Sequence, residues 1–152
     1  MKREYPKLPI VGVGGVVIKG DEVLLVRRGK PPMKGRWTIP GGMVELGESL
    51  PQAVQREINE ETRLEVRAVD VIAVLDRIFK KSGRVRFHYV IVDYACRVKS
   101  GKLRAASDVL DARWVKRTEL SRYRLPTAAR SVIRRAFERS KGRGASAHRL
   151  SV

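Results

Sequence analysis

Gly42 to Leu64 reads GMVELGESLPQAVQREINEETRL. Ser49 followed by Gln52 has the spacing of a helix capping box, and Pro51 falls in the first turn, where a missing N–H costs little. Leu50, Ala53, Val54 and Ile58 then recur at helical spacing, which predicts an amphipathic helix from the Ser49 cap to about Thr62 with these residues facing a core. The other face is acidic. Glu57 and Glu61 are four apart and Glu60 is adjacent, so three carboxylates project from one helical turn. Like charges this close repel by a few tenths of a kcal/mol per exposed pair. A divalent cation turns that repulsion into binding, because hard cations such as Mg²⁺ take carboxylate oxygens and bring phosphates with them.

Outward from the helix, Trp37-Thr38-Ile39-Pro40-Gly41-Gly42 leads in. Two apolar, β-rich runs, Val11 to Ile18 and Glu22 to Arg28, flank Lys19-Gly20-Asp21 and predict a hairpin. The glycines of the first run do not complete a dinucleotide fingerprint and are read as allowing close packing against another backbone. Gly29 to Arg36, with Pro31-Pro32, reads as a loop. After the helix, Leu64 to Leu75 and Val85 to Val98 read as strands joined through a turn at Lys80 to Gly83. Asp111 to Val115 reads as a short strand, and Thr118 as the N-cap of a short helical turn. Ala128, Val132, Ile133, Ala136 and Phe137 predict a second amphipathic helix over Thr127 to Arg139. Strands with two interspersed helices imply a layered α/β or α+β domain on a mixed sheet. Residues 1–141 form the expected domain; 142–152, small and basic, read as a mobile tail.

Gly42, Glu48, Arg56-Glu57-Ile58-x-Glu60-Glu61 and Leu64, at these spacings, resemble the signature box of the Nudix (MutT-like) hydrolases, and Trp37 to Gly42 is similar to the family's usual lead-in. One position departs: Arg63 stands where the family has Gly. The resemblance implies an α/β/α sandwich with a mixed β-sheet, the box forming a loop-helix-loop. It implies that Glu57, Glu60 and Glu61 hold Mg²⁺ or Mn²⁺, joined by the Gly41 carbonyl, and that Arg56 orients the glutamates. Glu48 matches the family's loop glutamate, with the roles of ligand, base or Arg56 partner open; Glu45 is a weaker candidate. Relatives draw the catalytic base from different places. Here Asp108 is the choice for base or extra ligand, ahead of Asp111, which reads as a cap at a strand start. Trp37, Phe79, Tyr89 and Trp114 are read mainly as core, and His88 as a structural strand histidine.

The implied reaction is hydrolysis of a diphosphate bond in a nucleoside diphosphate linked to X, with ADP-ribose or a related nucleotide sugar first. Some ADP-ribose-specific relatives carry a proline soon after the box, and none stands near Asp76 to Phe79 here. Nucleoside triphosphates, removal of an RNA 5′ pyrophosphate, and a non-catalytic nucleotide sensor are the alternatives. Dimers are common among relatives, so a homodimer is an open expectation.

Composition frames these readings. The 152 residues suffice for one well-filled core, and 43% are hydrophobic. No apolar run reaches the roughly 20 residues that span a bilayer, and Met1 to Pro6 lacks a secretory apolar stretch. Cys96 is the sole cysteine. It reads as a buried thiol, so a cytoplasmic protein is expected. The net charge of +17 raises nucleic acid as a partner; between Lys116 and Val152 eleven Lys/Arg face two acids, Glu119 and Glu138. Stacking aromatics are not interleaved with these cations, so a solvated basic face is the favoured reading. Such a surface also steers phosphate-bearing small substrates.

Overall fold

In the computed structural model, which describes residues 2–145, the first two apolar runs form antiparallel strands β1 (Ile10–Lys19) and β2 (Glu22–Arg28). Two very short strands follow, β3 (Trp37–Thr38) and β4 (Gly41–Met43), and then helix α1 (Leu50–Thr62). A long hairpin, β5 (Glu65–Lys81) and β6 (Arg84–Ser100), precedes β7 (Val109–Lys116), a 3-10 segment (Arg117–Tyr123) and helix α2 (Thr127–Ala145).

The sheet runs β3-β2-β1-β6-β5, with β4 added to β1 and β7 to β2. It is mixed, because β1 lies parallel to β6 while its other pairings are antiparallel. Period-two alternation gives β1 two buried faces. Val13 and Val17 join Ala53, Val54 and Ile58 of α1 in one core; Val16 joins Val132, Ile133 and Phe137 of α2 in the other. A sheet buried on both sides needs a helical layer on each, which is the sandwich architecture.

Several sequence expectations change in detail. The strand after α1 starts at Glu65 and runs on to Lys81, because pairing with β6 continues to the Ser82-Gly83 turn. Both turn residues have positive φ, 51° and 76°, the twist that suits a two-residue hairpin. Thr118 is not a helix cap: the 3-10 segment begins at Arg117, after Lys116, without a side-chain cap bond. Helix α2 continues past Arg139 to Ala145, so the first residues of the expected tail are helical. The rest of that tail lies outside the described residues. The β1 glycines mostly admit side chains rather than backbone. Gly14 faces Asp93 and Ile39, and Gly15 faces Ile58, Val54 and Cys96, while Gly12 alone approaches a backbone oxygen, that of Gly42. Among the described residues no helix is long and apolar enough to cross a membrane.

Helix α1 ends on Arg63 in the left-handed conformation, φ 64°, with its N–H bonded to the Asn59 carbonyl. This is the position the family gives to Gly. A side chain there costs of order 1 kcal/mol, and Arg63 is exposed, with no packing to offset it. Arg63→Gly should therefore be neutral or stabilising by up to about 1 kcal/mol in urea denaturation. A clear loss of stability would refute this account of the cap.

Candidate active site

The capping box forms: the Gln52 amide donates to Ser49 Oγ at 3.3 Å and the Ser49 amide to Gln52 Oε1 at 3.0 Å. This fixes the start of α1, and burial of Ala53, Val54 and Ile58 fixes its rotation. Glu57 and Glu61, four and eight residues after buried Ala53, therefore continue the inward side of the helix rather than the opposite face expected from the sequence, with Glu57 against Gly42 of β4; Arg56 and Glu60 lie on its flank.

Arg56 is a hub. Its Nε and Nη2 donate to the two Glu48 oxygens at 2.7 and 2.9 Å, a bidentate fork. Nη2 also donates to the Met43 carbonyl, and Nη1 to Glu57 Oε1 at 2.9 Å and Glu60 Oε2 at 3.2 Å. One guanidinium thus ties the loop, β4 and the helix together. The bond from Arg56 holds the Glu48 carboxyl below the usual carboxylate range. Glu48 also accepts from the Glu45 amide, and with both oxygens engaged it anchors Arg56.

Glu57 and Glu61 face a cleft whose lining includes Arg28, Lys30, Gly41, Gly42 and Asp108. A Cβ at Gly42 would collide with the Glu57 carboxylate, so the glycine is required by that close approach. Burial raises Glu57, with Arg56 pulling against it. Burial first, and then the Glu57 charge, push Glu61 up to about 8; the Gly41 amide and Arg28 oppose the shift. Asp108 reaches this cleft paired to Lys30 at 3.0 Å, both side chains more than half exposed. Asp111 stays on β7, accepting from the Ala112 amide and Arg113.

Glu60 is not brought into the cleft. It stands outside the lining, half exposed and held by Arg56. Among the described residues no group of three His, Cys, Asp or Glu side chains forms a complete metal cage. The chemistry of the two carboxylates nevertheless fits a cation. They are crowded and poorly solvated, and one holds a proton near neutral pH that a hard cation would replace.

A second cavity adjoins the first and shares Arg3, Arg28, Thr38, Ile39, Gly41 and Gly42 with it. Phe79 and Tyr89 line it. Trp37 instead packs edge-on against Tyr123, and Trp114 packs against the α1-side core. Asp93, on β6, also lines this cavity and is only 5% exposed. Burial pushes its carboxyl up to about 6, with Arg77 pulling the other way. The folded chain therefore holds a proton that the unfolded chain releases from about pH 4 upward. Stability is fully retained below that range and falls as pH rises through about 6, by about 2–3 kcal/mol from this group. Asp93→Asn should flatten that part of a urea-denaturation pH profile; an unchanged profile would refute the assignment.

Comparison with known proteins places this geometry. A NUDIX domain model matches residues 8–136. The chain belongs to the Nudix family. It is 35% identical over 104 residues to an ADP-ribose pyrophosphatase of Methanocaldococcus jannaschii, covering 68% of this chain and 60% of that protein. It is 34% identical over 100 residues to human 8-oxo-dGDP phosphatase NUDT18, covering 66% and 30%. The chain thus spans three-fifths or less of these curated relatives. A crystal structure of a MutT NUDIX hydrolase from Burkholderia pseudomallei superposes with a TM-score of 0.74 at 28% identity, covering 85% of this chain and 98% of that one.

Sequence reasoning passed over Arg28 and Asp93. Asp93 carried a signal, a charge inside the apolar run YVIVDYAC, whereas Arg28 closes β2 beside Arg27 and carried none. In a sheet buried on both faces such a charge must meet a ligand or a partner.

Proposed function

We propose that the chain hydrolyses the diphosphate bond of a nucleoside diphosphate linked to a second group, with ADP-ribose or a related nucleotide sugar as the leading substrate. The observation that carries this reading is the pairing of two spaces. The Glu57–Glu61 cleft, bordered by Arg28 and Lys30, shares six lining residues with a largely apolar neighbouring cavity whose chemistry suits a base or sugar. The name of the Methanocaldococcus relative supports ADP-ribose.

Glu57, Glu61 and the Gly41 carbonyl would hold Mg²⁺ or Mn²⁺, and Glu60, held beside Glu57 by Arg56 at the margin of the cleft, would join them by a side-chain turn toward the cation. When bound, such a cation neutralises charge on diphosphate oxygens and lowers the pKa of a coordinated water. The chain's own groups do the rest. Arg56 fixes Glu57 in place. Arg28, at the junction of the two spaces, sets a cation beside the position of the phosphates. Asp108, at the rim of the cleft beside Lys30 and outside the set of cation ligands, is the carboxylate able to take a proton from an attacking water. The apolar walls of the second cavity exclude water from the bound nucleotide.

Hydrolysis of an oxidised purine nucleotide is the second reading, favoured by the NUDT18 match. A nucleotide panel run with Mg²⁺ and with Mn²⁺, with products identified by chromatography, separates the readings. AMP plus ribose phosphate from ADP-ribose supports the first. Preferential release of phosphate or pyrophosphate from an 8-oxo-guanine nucleotide replaces it with the second. Absence of cleavage of any nucleotide refutes both.

A further inference from the structure

Asp93 has no structural reason to be a carboxylate. It sits in the middle of β6 between Val92 and Tyr94, opposite Gly14 of β1 and Ala73 of β5. A Cβ on Gly14 would collide with its Oδ1, so β1 gives up a side chain to make room for it. No hydrogen bond reaches the Asp93 oxygens from any described residue, and its one named charged neighbour, Arg77, donates instead to Met33 and lies over Phe79. The Asp93 oxygens are therefore open to the cavity and offer an acceptor to whatever enters it.

The cavity says which donor. Phosphates are repelled by Asp93 and are matched at the other end, where Arg28 and Arg3 stand at the junction with the Glu57–Glu61 cleft. The walls of the cavity combine apolar Ile39, Leu75, Ile91 and Ala129 with Arg36 and Arg77. A cavity with apolar walls in which, among the described residues, Asp93 is the one carboxylate fits a flat heterocycle that carries N–H groups on its edge, better than a sugar with hydroxyls on several sides. We propose that Asp93 is a specificity-determining residue that accepts a hydrogen bond from the exocyclic amino group of a purine base. The cavity then favours amino-purine nucleotides over those with a carbonyl oxygen at that position. This rests on the reading of the chain as a nucleotide hydrolase.

The test compares ADP-ribose with its hypoxanthine counterpart, inosine diphosphate ribose, which places an acceptor where the amino group was. Binding is measured calorimetrically in chelator, so that no turnover intervenes. The wild-type chain should bind ADP-ribose about tenfold or more tightly than the inosine compound. Asp93→Asn, whose amide can donate to the carbonyl, should bring the two within about threefold or reverse them. Equal wild-type binding, which needs no variant to fold, overturns the proposal, as does an unchanged ratio in folded Asp93→Asn. Cleavage of ADP-ribose with equal binding removes only the role of Asp93. Failure to bind or cleave any nucleotide removes the hydrolase reading and this proposal with it.

Discussion

Glu61→Gln, and separately Glu57→Gln, should lower divalent-cation-dependent turnover by about three orders of magnitude or more while the fold survives. The expected size follows from the role: electrostatic stabilisation by a bound cation is worth several kcal/mol, and each 1.36 kcal/mol is about tenfold in rate. The fold should survive because Gln is isosteric with the carboxylic acid. It replaces in Glu61 a group that burial already pushes up to about 8, so the uncharged side chain is tolerated there. Steady-state kinetics at saturating Mg²⁺, with thermal unfolding run beside them, check both halves. Full activity in both variants would remove these glutamates from the site.

Arg56→Met should carry the second large effect, a loss of about 10–100-fold in activity with weakened apparent metal affinity. Without the guanidinium, Glu48, Glu57 and Glu60 lose a shared donor, and the loop is no longer tied to the helix through Met43. The side chain is about a quarter exposed, so the stability cost is discounted to about 1–3 kcal/mol. Arg56→Lys separates charge from shape. A lysine keeps the charge but cannot form the fork to both Glu48 oxygens, so it should recover stability better than activity. Recovery of full activity by Lys would show that only the charge matters.

Much of this arrangement was legible in the sequence, for particular reasons. Helix α1 announced itself because cap, early proline, apolar stripe and acidic face all agree over one short segment. The β1–β2 hairpin was marked by a turn between two apolar runs. What escaped was short, or long-range in origin. Strands β3 and β4 have two and three residues, and β4 includes two glycines, so they carry no periodic signal; they exist because β2 and β1 offer them edges. The extension of β5 past Leu75 depends on its pairing with β6. Glu60 shows the limit of one-dimensional reasoning about the site. Its spacing places it with Glu57 and Glu61, and Arg56 Nη1 holds it beside Glu57, but its side chain stands half exposed outside the residues that line the cleft. Asp108 was chosen from two nearby carboxylates on chemistry alone. The loop before β7 passes over Gly29, which leaves room for the Asp108 backbone and delivers the side chain beside Lys30. The single thiol is inert for the reason expected of it: burial pushes Cys96 up to about 12.

The excess of positive charge fits the same account. Arg3, Arg28 and Lys30 border the cleft, so part of the +17 is placed where a diphosphate would arrive. Arg139 and Arg135 of α2 are instead engaged with β5, through Asp70 and the Val71 and Ile72 carbonyls. These arginines help hold the second helical layer to the sheet.

Glu57 and Glu61 are proposed to form the divalent-cation site of a hydrolase. Mn²⁺ titration followed by electron paramagnetic resonance tests it most directly, on the wild-type chain and on the Glu57→Gln/Glu61→Gln double variant. The account predicts saturable Mn²⁺ binding to the wild type, displaced by Mg²⁺, and loss of that binding in a folded double variant. Undiminished Mn²⁺ binding by the double variant would contradict it.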